Sequence, residues 1–141
     1  MIITISSPVF PTEDETKVIS AAISLFETAE AIYDQDVREV SVTATERRAL
    51  ELIRNIVHSM RVIDTVRAAI LRNLIGLETR FTIDKQAAYH GKFKLIDDRE
   101  EEPSLGVVEI RIRFEHEKEF EDFMKWFVPP TKDGRIVQSK S

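Results

Sequence analysis

The stretch Val108-Glu109-Ile110-Arg111-Ile112-Arg113-Phe114 alternates apolar and charged residues over seven positions. A period of two places the apolar side chains on one face of a strand and the charged ones on the other. The same alternation recurs at Leu77, Thr79, Phe81 and Ile83 against Glu78, Arg80 and Thr82, at Val37 to Val42, and at Phe93 and Leu95 against Lys92 and Lys94, while Ile2 to Ser7 also reads as a strand. Strands that bury one face and wet the other predict an α+β fold, a largely antiparallel or mixed five-stranded sheet with helices packed mainly on one face. Residues 1–134 then form one domain and 135–141 a tail.

The intervening segments have helical spacing. Thr12 and Glu15 have the spacing of a capping box, in which each side chain satisfies the other's backbone amide, ahead of a helix bearing Val18, Ala22, Leu25 and Phe26 and ending near Glu30. Thr43 and Glu46 form a second such pair before the apolar stripe Leu50, Ile53, Val57 and Met60. A further stripe, Ile63, Val66, Ile70 and Leu74, has a different phase, so the chain must bend or break near residues 60 to 63. Gly76 is placed as the left-handed stop of that helix. Asp84 can cap a short helix from Lys85 to His90 closed by Gly91, and the last helix, with Phe120, Phe123, Met124 and Phe127 on one side, must stop at Pro129-Pro130. Asp97 to Glu102 reads as an exposed loop and Thr131 to Gly134 as a turn.

Composition narrows the function. The chain has 141 residues and no cysteine, which excludes a disulfide, a thiolate nucleophile and a Cys-ligated zinc. The four glycines stand far apart, so no phosphate-cradling loop or dinucleotide fingerprint exists. His58, His90 and His116 with scattered serines supply no catalytic triad, and Glu115-His116-Glu117 is better read as an acidic helix start than as a metal site. No cofactor, metal or enzymatic activity is expected. Nothing approaches the ~18 consecutive apolar residues of a membrane span, and the first ten residues lack the features of a signal peptide, so a cytoplasmic protein is expected. Only 2 Asn and 3 Gln are compatible with a hot habitat.

The net charge of -5 hides an uneven distribution. Residues 38 to 94 hold 11 Lys/Arg against 6 Asp/Glu, a balance of +5, and the remaining 84 residues carry -10. Local potential, not total charge, is what a partner meets. Arg47, Arg54, His58 and Arg61 fall within about 60° on a helical wheel, and with Arg72 they meet the requirement of nucleic-acid phosphates for several cations on one surface. Lys85, Gln86 and Tyr89 add a cation, an amide and a stacking platform. Arg80, Lys92, Lys94, Arg111 and Arg113 make the wet sheet face a second basic candidate, unless Glu39 or Glu78 pairs with Arg80 or Arg111 across strands. Arg67, three residues from Asp64, is either a contact for an anion or one half of an internal salt bridge between helices, the second reading being favoured.

Five blocks in order, PVFPTEDETKV at 8–18, RVIDTVRAAILRN at 61–73, FTIDKQAAYHGKFKL at 81–95, SLGVVEIRI at 104–112 and WFVPPTKDG at 126–134, cover nearly the whole chain. Together they resemble the archaeal uncharacterised protein family numbered two hundred and one. The resemblance implies a fold like that of the large-subunit ribosomal protein that binds five-S RNA, a relation to a predicted RNA-binding exosome-associated family, and occasional fusion to a P-loop kinase of the nucleotide type. It brings no activity with it. By resemblance the family blocks fall on Thr12, Glu13, Asp14 and Lys17, on Arg61, Asp64, Arg67 and Arg72, on Lys85, Gln86 and Gly91, and on Trp126, Pro129, Pro130 and Gly134. Phe10, Met60 and Tyr89-His90 depart from its usual pattern. The expectation is a non-catalytic RNA-binding module, with ribosomal RNA a possible target. The alternative is an interaction or regulatory subunit that docks a second copy or a nucleotide-type kinase.

Overall fold

A computed structural model describes residues 1–26, 32–97, 103, 106–132 and 135–136. Eight strands and five helices are assigned among them: β1 (Ile2–Pro8), α1 (Glu15–Ile23), β2 (Ile32–Asp34), β3 (Glu39–Ala44), α2 (Glu51–Ser59), α3 (Ile63–Arg72), β4 (Glu78–Asp84), α4 (Lys85–Tyr89), β5 (Leu95–Ile96), β6 (Val107–Arg113), α5 (Glu117–Phe127), β7 (Thr131–Lys132) and β8 (Arg135–Ile136). Six strands form one antiparallel sheet in the order β2-β3-β1-β6-β4-β5, and β7 and β8 pair separately. The fold is α+β, with six strands in the sheet instead of five. The additional strand, β2, is three residues long and places Tyr33 against Val40.

The alternation of β6 sets the core. Val108, Ile110 and Ile112 are buried opposite Ile83, Phe81 and Thr79 of β4, and Ile110 and Ile112 also face Ile5 and Ile3 of β1. Onto this face pack Ile53 and Val57 of α2, Val66 and Ile70 of α3, and Phe123 and Phe127 of α5. An aromatic chain runs through it, with Phe81 and Phe127 centroids 5.9 Å apart and Phe123 5.2 Å from Phe127 and 5.3 Å from Phe114. A smaller cluster of Val9, Val18, Ala22 and Val40 joins α1 to the sheet.

Several local expectations change in the fold. Helix α1 is capped by Asp14, whose carboxylate accepts from the Thr16 amide, and not by Thr12. The reason is that Glu13 is engaged elsewhere, accepting from the Phe10 amide and from Lys85, which holds Phe10 to Asp14 as a separate turn. The Thr43–Glu46 capping pair does not form, because β3 continues through Ala44 and Thr43 lies in register with Thr4. A single 3-10 turn, Arg47–Leu50, then leads into α2. The break between α2 and α3 falls where the change of phase predicts it, with Arg61 in the left-handed region at φ 58. The break turns Met60 outward, so it is exposed where the stripe predicts burial. Gly76 does have positive φ, but it closes the Ile75–Glu78 turn after α3 has ended.

Asp84 caps α4 as predicted by accepting from the Ala87 amide, and Gly91 follows at φ 72. Lys92 and Lys94 are exposed and precede β5, although the Lys94 carbonyl still accepts from the Asp84 amide of β4 at 2.9 Å. At α5, His116 Nδ1 accepts from the Glu119 amide. The Glu119 carboxyl accepts from the Glu115 amide and lies 3.0 Å from the chain's amino group, and these contacts, the first most strongly, hold it below the usual carboxylate range. Helix α1 ends at Ile23 with Ser24 as its cap, well before the expected Glu30. Glu30 itself, most of the Asp97 to Glu102 loop, and Asp133 and Gly134 lie outside the described residues.

Candidate nucleic-acid interface

The last turn of a helix leaves carbonyls without amide partners, and a following pair of prolines removes two donors that could have served them. Helix α5 meets this problem with side chains from α2 and α3. Arg54 Nε donates to the Trp126 carbonyl at 2.7 Å, and His58 Nε2 lies 2.8 Å from the Phe127 carbonyl. Arg67 Nη1 donates to Pro129 at 2.6 Å and to Val128 at 3.3 Å, while its Nη2 binds Asp64 at 2.6 Å. Thr131 Oγ1 donates to the same Asp64 carboxylate. Arg47 and Arg54 also lie over the Trp126 ring, 5.1 and 5.3 Å from its centroid. The helical stripe is thus largely an intramolecular clamp on a negative helix end. Arg67 makes the internal salt bridge with Asp64, and Arg54 is likewise occupied.

Lys85 is occupied too. Its side chain is 4% exposed, and its ammonium donates to Glu13 at 2.7 Å and to the Pro8 carbonyl at 2.9 Å, 4.7 Å from the Phe10 ring centroid. Enclosed in this way, with two of its three donors engaged, Lys85 presents little to a phosphate. Arg61 and Arg72, at the two ends of α3, are exposed and form no ion pair among the described residues. Gln86, Lys92 and Lys94 are exposed as well.

The wet face of the sheet gathers a different set. Register places Thr43 beside Thr4, Thr4 beside Arg111 and Arg111 beside Arg80, one row across four strands. The next row runs Ile2, Arg113, Glu78, and on the other side Ser41, Ser6, Glu109 and Thr82. Arg111 is held at 2.8 Å by Glu109 and at 3.5 Å by Glu78, and Arg80 lies 3.6 Å from Glu109. The hydrogen bond to Glu109, followed by that carboxylate's charge, raises the Arg111 pKa further above its ordinary high value. Cross-strand pairing therefore occurs, through Glu78 and Glu109 and not through Glu39. Arg113 is exposed and forms no ion pair among the described residues. Within the paired strands the face carries three guanidiniums, with Lys94 just before β5 and Lys92 further from it.

The hydroxyls Thr4, Ser6 and Thr43 on this face escaped sequence reasoning, although their alternation with Ile3, Ile5 and Val42 was readable. What was missing was the register that aligns them with the arginines. No group of three metal-ligating side chains occurs among the described residues, and no helix there is long and apolar enough to cross a membrane.

A family model described as RNA binding matches residues 2–114. The chain is 33% identical over 132 residues to a UPF0201 protein of Pyrococcus abyssi, which covers 92% of this chain and 91% of that one. A UPF0200/UPF0201 protein of Archaeoglobus fulgidus is 29% identical over 136 residues, 96% of this chain but 40% of the longer relative. The crystal structure of a UPF0201 protein from Methanococcus jannaschii superposes with a TM-score of 0.80 at 25% identity, over 98% of this chain and all of that one.

Proposed function

Because the chain belongs to the archaeal UPF0201 family and its residues 2–114 match the family described as RNA binding, we propose that it is a non-catalytic RNA-binding module. Its uncovered sheet face meets the sugar-phosphate backbone. The observation that carries this reading is the row Thr43, Thr4, Arg111 and Arg80 with Arg113 in the adjoining row. Guanidiniums and hydroxyls are the side chains that contact phosphate oxygens and ribose hydroxyls. Glu109 and Glu78 hold Arg111 in place, so less side-chain freedom is lost when an anion arrives. Arg113 supplies the unpaired charge, and the exposed Arg61, Arg72, Lys92 and Lys94 add cations around the same molecule.

Filter binding to structured archaeal ribosomal RNA across salt tests this. Each neutralised phosphate contributes a slope of about -0.9 for a duplex, so the unpaired Arg113 alone predicts about -0.9, rising to about -2.7 if Arg80 and Arg111 exchange their carboxylate partners for phosphates. Undetectable binding at ~50 mM salt, or binding indifferent to salt, overturns the reading.

A second reading, docking of a protein partner such as another copy or a nucleotide-type kinase, is favoured by one feature. Ile2, Leu77 and the 83% exposed Ile75 border an open recess of about 700 Å3 at the end of the same sheet, beside Arg113 and Glu115. Light scattering tests the self-association form: a monomeric mass at ~100 μM removes the second-copy version.

A further inference from the structure

A cleft of about 200 Å3 opens between α1 and α4, lined by Glu13, Lys17, Val18, Ala21, Lys85, Gln86, Tyr89 and His90. We propose that it takes one unpaired nucleotide, its base against Tyr89 and its phosphate at Lys17. The proposal rests on the RNA-binding reading and extends it to a site off the sheet face.

Six observations carry it. The floor is apolar, with Val18 and Ala21 almost fully buried. The charge beneath it is balanced, because Lys85 is neutralised by Glu13 at 2.7 Å. A flat, uncharged heterocycle suits such a floor better than an anion does. Tyr89 is 41% exposed and belongs to neither core cluster, so it does not cap the core; its ring meets His90 edge-on at 71° with centroids 5.1 Å apart. Exposed tyrosine rings are platforms on which single-stranded bases stack, because every base has a π-face. Gln86, exposed at the rim, offers both a donor and an acceptor to a base edge. Lys17, exposed and without an ion pair among the described residues, is the point charge a phosphate requires. The volume lies below the ~300–1,000 Å3 of pockets for drug-sized ligands, which fits one base and not a larger cofactor.

The nucleotide could belong to an RNA strand or be free, and the two are separable. Single-stranded RNA carrying 2-aminopurine, a fully paired RNA duplex, and adenosine and uridine monophosphates are each titrated against the full chain and the variants Tyr89→Ala, Tyr89→Phe and Lys17→Ala. Quenching of the 2-aminopurine on binding is expected. Tyr89→Ala should weaken single-strand binding by about 5- to 150-fold, the equivalent of one lost stack, and leave duplex affinity unchanged. Tyr89→Phe should retain binding, and Lys17→Ala should lower the salt slope by about 0.7. Binding of the monophosphates with no RNA bound supports the cleft as a mononucleotide site and refutes the RNA-binding reading alone. Duplex binding with a Tyr89→Ala variant that holds single strands as tightly as the wild type overturns the cleft and leaves that reading intact. Failure of every probe overturns both.

Discussion

The chain has two basic regions, and they use their charge in opposite directions. On the helical side, Arg54, His58 and Arg67 reach inward to the carbonyls at the end of α5, and Lys85 is sealed against Glu13. On the sheet face, Arg80, Arg111 and Arg113 stand on neighbouring strands and remain exposed. The helical set is the denser cluster of charge in the sequence, yet Arg54, Arg67 and Lys85 use theirs inside the fold, and Arg61 and Arg72 are left without an ion pair among the described residues. A run of arginines on one helical wheel is therefore ambiguous until the element it faces is known. Here that element is a helix C-terminus followed by two prolines, whose unpaired carbonyls and roughly half a negative charge also draw cations.

The contrast is open to attack by mutation. The largest effect should come from Lys85→Ala, which leaves Glu13 enclosed without its counter-charge; a loss of about 3–5 kcal/mol is expected by denaturant unfolding. If stability stays within ~1 kcal/mol, the pair is not the closure described. Next is Arg67→Ala, which removes donors from Val128, Pro129 and Asp64. Stability should fall by about 2–3 kcal/mol, with RNA affinity unchanged well below the melting temperature. A selective loss of RNA binding in that variant would move Arg67 into the interface. Arg113→Ala should do the reverse, with stability within ~0.5 kcal/mol of wild type and the salt slope of RNA binding reduced by about 1.

The smallest effect is a pH dependence at α5. The Glu119 pKa is lowered in the fold, so its contribution is present above the unfolded value of ~4.3 and is lost as pH falls through the folded value. The stability difference between wild type and Glu119→Gln should be level between about pH 6 and 7 and shrink in acid. A difference that stays constant down to pH ~2 would contradict the assigned contacts.

Much of this architecture was legible in the residues. The alternation around Ile110 and Phe81 gave the inward faces, and the change of phase after Met60 gave the break now seen at Arg61. The Asp84 cap was readable because its partners are local. Where long-range contacts compete with local ones, the reading failed. Thr43 matches a helix cap locally, but pairing with Thr4 holds it in β3. Thr12 loses its role because Lys85, 72 residues away from Glu13, captures that carboxylate and shapes the preceding turn. The three-residue β2 is too short for a periodic signal of its own. The same limit governed the site. Residue types named the cations, but which of them face outward depends on α5 and on strand register, and neither is encoded in local spacing.

The most direct test compares the salt dependence of structured ribosomal RNA binding for the wild type and for the combined Arg80→Ala, Arg111→Ala, Arg113→Ala variant. The slope of log Kobs against log salt should become shallower by up to about 2.7 while the variant remains folded by circular dichroism. An unchanged slope in a folded variant would contradict the assignment of the sheet face as the phosphate-binding surface.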